Sequence, residues 1–123
     1  MGEYVKAINL DKKEYVMAFP AKFCEQLGSK ELATMLYWLL TKPTPPEKRG
    51  LGWGEIDGYR YLGRWVGNRI IIVGDYSEEW MKLRDDVKDI SAEVLEEIVD
   101  YMKKEQYPDI TIKDYEHLLS LLR

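Results

Sequence analysis

RIIIVGDY, residues 69–76, is the stretch whose reading decides the fold. Ile70, Ile71, Ile72 and Val73 are four consecutive β-branched residues, stiff at χ1 and suited to a pleated surface. Apolar and polar positions do not alternate along the run, so it predicts a strand covered on both faces, central in its sheet. Gly74-Asp75 ends that strand. Ser77-Glu78-Glu79-Trp80 then reads as a helix start, with acids in the first turn where the helix dipole favours them, and the helix fades by Asp86.

Immediately upstream, residues 61–66 form a second β-rich run, joined to the first by Gly67-Asn68. A two-residue Gly-Asn link favours a type II′ turn, because glycine tolerates the positive φ at its first position, and a tight hairpin is predicted. Residues 3–9 and 14–19 predict another hairpin, with Asp11-Lys12-Lys13 as its polar turn. Pro20 suits the first position of a short helix through Leu27, closed by Gly28. Ser29 then caps a helix over 30–41, whose Leu32, Met35, Leu36, Leu39 and Leu40 share one side, flanked by Tyr37 and Trp38. Such a helix should be largely buried over the sheet; a ligand platform built on Tyr37 and Trp38 is the functional alternative to plain core packing.

Downstream, Ser91 caps a predicted amphipathic helix over 92–105, with Val94, Leu95, Ile98, Val99 and Met102 on the apolar side and Glu93, Glu96, Glu97, Asp100, Lys103 and Lys104 facing water. Pro108-Asp109 interrupts it. Thr111 and Asp114 form a capping pair for a last helix carrying Tyr115, Leu118, Leu119 and Leu122. The chain therefore predicts a single α+β domain over 1–123, with about four antiparallel strands in two hairpins and three to four helices packed on the sheet. The unbroken run at 70–73 argues for a sheet sandwiched between helices.

With 123 residues the chain is long enough to bury a core without disulfides or metals, and 46% hydrophobic with 33% charged residues excludes a disordered or membrane composition. One cysteine, Cys24, allows no internal disulfide, and with no N-terminal apolar signal region read in the sequence the expectation is a cytoplasmic protein. The net charge of −4 is unevenly spread. Residues 42–70 hold six basic and three acidic side chains, whereas residues 71–123 hold seven and fourteen, an asymmetry that bears on partners.

The loop 42–54, KPTPPEKRGLGWG, is rich in proline and glycine and long for a connection, which makes it a candidate functional segment. Gly50, Gly52 and Gly54 do not make a dinucleotide fingerprint, because the segment follows prolines rather than a strand. The main candidate site is the cluster Arg49, Trp53, Arg60, Tyr61, Arg64, Trp65 and Arg69, where guanidinium groups alternate with rings. That composition serves a protein hot spot, and also a groove for single-stranded nucleic acid; the small local excess of positive charge favours the protein interface. An alternative small-molecule site would use Asp75 with Glu55 or Asp57, against the plainer reading that Asp75 caps the turn after its strand. His117, the only histidine, lacks ligand-spaced partners and reads as structural, and Cys24 reads as a small core residue, so no catalytic group, metal or cofactor is expected.

Asn9-Leu10-Asp11-Lys12 with Glu14-Tyr15, then Gly63-Arg64-Trp65 through Gly67 to Arg69-Ile70 and Val73-Gly74-Asp75-Tyr76, resemble a family of small proteins of bacteria and their phages; Asp89-Ile90-Ser91 looks like a third shared block. The family's histidines after the first hairpin have no counterpart in residues 17–22, so no metal or acid–base role carries over. The resemblance implies a defined fold and no assigned activity. The expected function is non-enzymatic protein binding through the 53–65 region, with a protein partner or self-association; nucleic-acid binding and a small enzyme around Asp75 are the alternatives.

Overall fold

The computed structural model of the protein describes residues 4–18 and 30–123. The expected helix at 20–27 with Cys24, its closing Gly28 and the expected N-cap Ser29 of the helix that follows lie outside the described residues.

β1 (Val5–Asn9) and β2 (Glu14–Val16) form the opening hairpin, with Ala7 opposite Val16 and Asn9 opposite Glu14. Asn9 builds the turn itself, because its Oδ1 accepts the N–H of Asp11 at 2.9 Å and of Lys12 at 2.8 Å. β3 (Ile70–Gly74) also pairs antiparallel with β1, and β4 (Lys88–Asp89) pairs parallel with β2, giving the order β3-β1-β2-β4. The sheet is therefore mixed rather than wholly antiparallel. The isoleucine run is an edge strand and not the central one; β1, buried at all five positions, takes the centre beside β2. β-Branched composition reports a pleated backbone and leaves the position within the sheet open.

The hairpin expected over 61–74 does not form. Residues 61–68 are a run of tight turns, with Arg64 N–H on Tyr61 O, Val66 N–H on Gly63 O and Asn68 N–H on Trp65 O. The reason lies at the end of α1 (Glu31–Leu40), whose last carbonyls have no partner within the helix. Gly63 and Trp65 donate their N–H groups to Trp38 O and Leu39 O, each at 2.9 Å. Gly63 manages this at φ +75°, and a Cβ there would stand 2.7 Å from Thr41 O. An extended strand would forfeit both bonds.

Residues directly opposite in the sheet share a face. Ala7 and Val16 look into the main core, where they meet Leu32, Met35, Trp38 and Leu39 of α1, the five predicted apolar residues of α3 (Ser91–Lys104), and Ile112, Tyr115, Leu118 and Leu119 of α4 (Asp109–Leu122). Tyr37 and Leu40 of α1 are exposed, so that helix is buried on one side only. Lys6, Ile8 and Tyr15 look the other way, where Trp80 of α2 (Glu78–Leu83) stands edge-on to Tyr15 at 5.2 Å and under the Lys6 ammonium at 3.8 Å. The sheet thus carries helices on both faces.

Two caps differ from expectation. Ser91 is itself the first residue of α3; Asp89 accepts its N–H and hydroxyl, and the same hydroxyl accepts Met17 N–H. α4 starts at Asp109 after Pro108, which leaves Thr111 inside the helix, because proline at a helix start needs no N–H partner. Ser77 does cap α2, accepting Trp80 N–H at 3.1 Å. Ser77→Ala is expected to lower stability by about 1 kcal/mol, read as a shifted urea midpoint at unchanged slope.

Candidate functional site

The sequence blocks at 9–15 and 63–76 lie against each other. Asn9 Nδ2 donates to Asn68 Oδ1 at 2.9 Å, Asp11 binds Arg69 through its backbone N–H at 2.7 Å and its guanidinium at 2.9 Å, and Glu14 receives Arg64 at 2.7 Å together with the Trp65 indole N–H at 3.0 Å. Asp75 takes Tyr4 N–H at 3.2 Å and so closes the β1–β3 ladder, instead of capping the turn after its own strand. Asp89 and Ser91 pin the end of β2. These polar side chains fasten the first hairpin to residues 64–69 and tie down the ends of its strands.

The seven residues of the arginine and aromatic cluster are accordingly dispersed. Trp65 and Tyr61 are buried in the core. Arg64 is held by Glu14, Arg69 by Asp11, and Arg49 by Asp57 through two bonds of 3.0 Å. The Arg49 guanidinium holds the Asp57 carboxyl below its ordinary range, and the Arg69 backbone N–H, followed by its guanidinium, does the same for Asp11. Arg60 lies over the Tyr61 ring, its backbone N–H bound by Glu97 at 2.7 Å. Glu97, expected to face water, also accepts Trp38 Nε1–H at 3.1 Å and Tyr61 N–H at 2.9 Å, so it ties α1, α3 and the loop together. Of the cluster, Trp53 alone lines the concavity between α1, the loop and α3.

That concavity is a groove of about 500 Å³. Thr34, Tyr37, Trp38 and Thr41 come from α1, Leu51, Gly52, Trp53, Ile56 and Leu62 from the loop, Ile98, Tyr101 and Met102 from α3, and Tyr107 from the turn beyond it. None of these side chains is charged. Trp38 and Tyr101 pack edge-on at 5.5 Å, Tyr101 and Tyr107 at 6.4 Å, and Tyr101 donates its hydroxyl to Trp53 O at 2.8 Å. Burial, with Tyr107 and Glu105 nearby, pushes the Tyr101 phenol above its ordinary value, which keeps the donor proton in place. Tyr37, 78% exposed, and the fully exposed Leu51 stand at its rim.

The alternative acidic site does not assemble at this groove. Asp75 is on the sheet edge, Asp57 is engaged by Arg49, and Glu55 is exposed; none of the three lines it. His117 is exposed on α4. Among the described residues no group of three or more His, Cys, Asp or Glu side chains is placed to hold a metal ion, and no helix is long and apolar enough to cross a membrane. Tyr37 and Trp53 were visible in the sequence as candidates. Leu51 was visible only as part of the 42–54 loop, and Tyr101 and Tyr107 were not; the available signal was Tyr101 three residues beyond Ile98, on the border of the apolar stripe.

Comparison with protein-family models, with curated proteins and with solved structures finds no match.

Proposed function

We propose that the protein is a non-enzymatic, cytoplasmic binding module that takes an uncharged apolar segment of another protein into the aromatic groove, with Trp53 as an anchor. The observation that carries this reading is the groove's lining: rings held edge to face, no charged side chain, and the exposed apolar pair Tyr37 and Leu51 at the rim. Rigid aromatic side chains bury large areas at small entropic cost, which is why they dominate protein hot spots. The volume falls within the range of ligand sites, and an extended peptide carrying proline or aliphatic residues matches such a lining. Nucleic-acid binding has less support, because Arg49, Arg64 and Arg69 already spend their charge on carboxylates.

The test is selection from a display library of random peptides. Enriched sequences should share apolar or proline positions, and their affinity should fall about tenfold or more on Tyr37→Ala or Leu51→Asp. Both side chains are exposed, so the fold survives the change. Single-stranded oligonucleotides should not compete at low salt. No enrichment, or peptides indifferent to both substitutions, would overturn the reading.

A further inference from the structure

Among the described residues, β3 has a strand on one side only. Its ladder with β1 pairs Val73 with Lys6 and Ile71 with Ile8, and ends in Leu10 N–H on Arg69 O and Asp75 N–H on Tyr4 O. Antiparallel neighbours alternate between pairs that exchange hydrogen bonds and pairs that do not. The bonds to β1 therefore fall at Arg69, Ile71, Val73 and Asp75, and the N–H and C=O groups of Ile70, Ile72 and Gly74 point away from the sheet. Among the described residues this edge has a continuous register without a bulge, its strand contains no proline or lysine, and Ile72 is 54% exposed.

We propose that the β3 edge is a homodimer interface, pairing antiparallel with the same strand of a second copy about a two-fold axis at Ile72. The outward-facing set is symmetric about that residue. Ile72 meets its own copy, and Ile70 meets Gly74 of the partner subunit, so every outward N–H finds a carbonyl. The same register sets Arg69, already paired with its own Asp11, beside Asp75 of the partner subunit, twice over, so that unlike charges are neighbours across the seam, which parallel pairing or a two-residue slip would lose. The opposite edge of the sheet, β4, has only two residues, so a head-to-tail addition of β3 to β4 gains little and the closed pair wins over an open fibre. This interface is separate from the aromatic groove and does not depend on what binds there.

Light scattering over a broad dilution series, together with amide hydrogen exchange, decides it. The wild-type protein should approach twice its 14.5 kDa mass at high concentration. Exchange at Ile70, Ile72 and Gly74 should slow as concentration rises, while Ile71 and Val73 stay protected throughout. Ile72→Lys, which sets two ammonium groups against each other on the axis, should give a folded monomer. A wild-type protein that stays monomeric with those three amides open at every concentration overturns the proposal. So does a dimer whose three amides remain open, since its interface lies elsewhere. If Ile72→Lys fails to fold, the exchange pattern of the wild-type protein alone gives the answer.

Discussion

Trp65→Ala is expected to cost about 3–5 kcal/mol, the range for truncating a fully buried large aromatic side chain. Trp65 is 0% exposed and packs in the core cluster with Tyr61, Leu39 and the apolar side of α3. Truncation leaves a void and also removes an indole N–H from Glu14 Oε1, so two separate losses coincide. A domain of this size has roughly 5–15 kcal/mol of stability in all, so the variant is left marginal. Trp65→Phe separates the two losses: it keeps most of the volume and gives up the donor, at about 1–2 kcal/mol. Urea unfolding followed by circular dichroism reads both. A Trp65→Ala loss below about 1 kcal/mol would mean that the residue does not pack as a core anchor. Any loss of binding in this variant should track its unfolded fraction, which distinguishes it from Tyr37→Ala.

That contrast marks what the sequence could and could not reveal. Alternating guanidinium groups and rings at 49–69 are the composition of a binding surface, and equally of ion pairs that lock a loop onto a sheet. Only the positions of Asp11, Glu14 and Asp57 tell the two apart, and they come from the first hairpin and from the loop itself. The helices were legible because a 3.6-residue period survives in one dimension; all five apolar residues expected on α3 are buried. The 70–73 run was legible as a strand and misleading as a central one, since isoleucine suits an edge as well as an interior. Residues 61–68 were misread because local propensity and a Gly-Asn pair cannot register the open carbonyls at the end of α1, which are what bend that segment into turns. The groove was half legible: Tyr37, Trp53, Tyr101 and Tyr107 meet only through the fold, and no local pattern connects them.

Glu14→Leu is expected to be comparably damaging, at about 3 kcal/mol, the lower end for a buried ion pair deprived of one member, because Arg64 keeps some access to solvent. Burial pushes the Glu14 carboxyl upward, but the Arg64 guanidinium and the Trp65 N–H, with Lys12 nearby, outweigh it and hold the group below the usual glutamate range. The sign follows from that depression. A carboxyl whose folded value lies below its unfolded one contributes stability that is fully present above the unfolded value and is lost as pH falls through the folded one. The gap between wild type and Glu14→Leu should therefore be widest near neutrality and close as pH drops below about 4. Adding Arg64→Met should recover part of the loss, since an apolar pair can replace a buried ion pair, but not all of it, because the Trp65 indole N–H is still left without its acceptor. Full recovery would assign the whole effect to the ion pair; no recovery would place the cost in the indole bond and the packing around it. A gap that stays constant from neutral to acid pH would show that the Glu14 charge contributes nothing to holding the turns of 61–68 against the sheet.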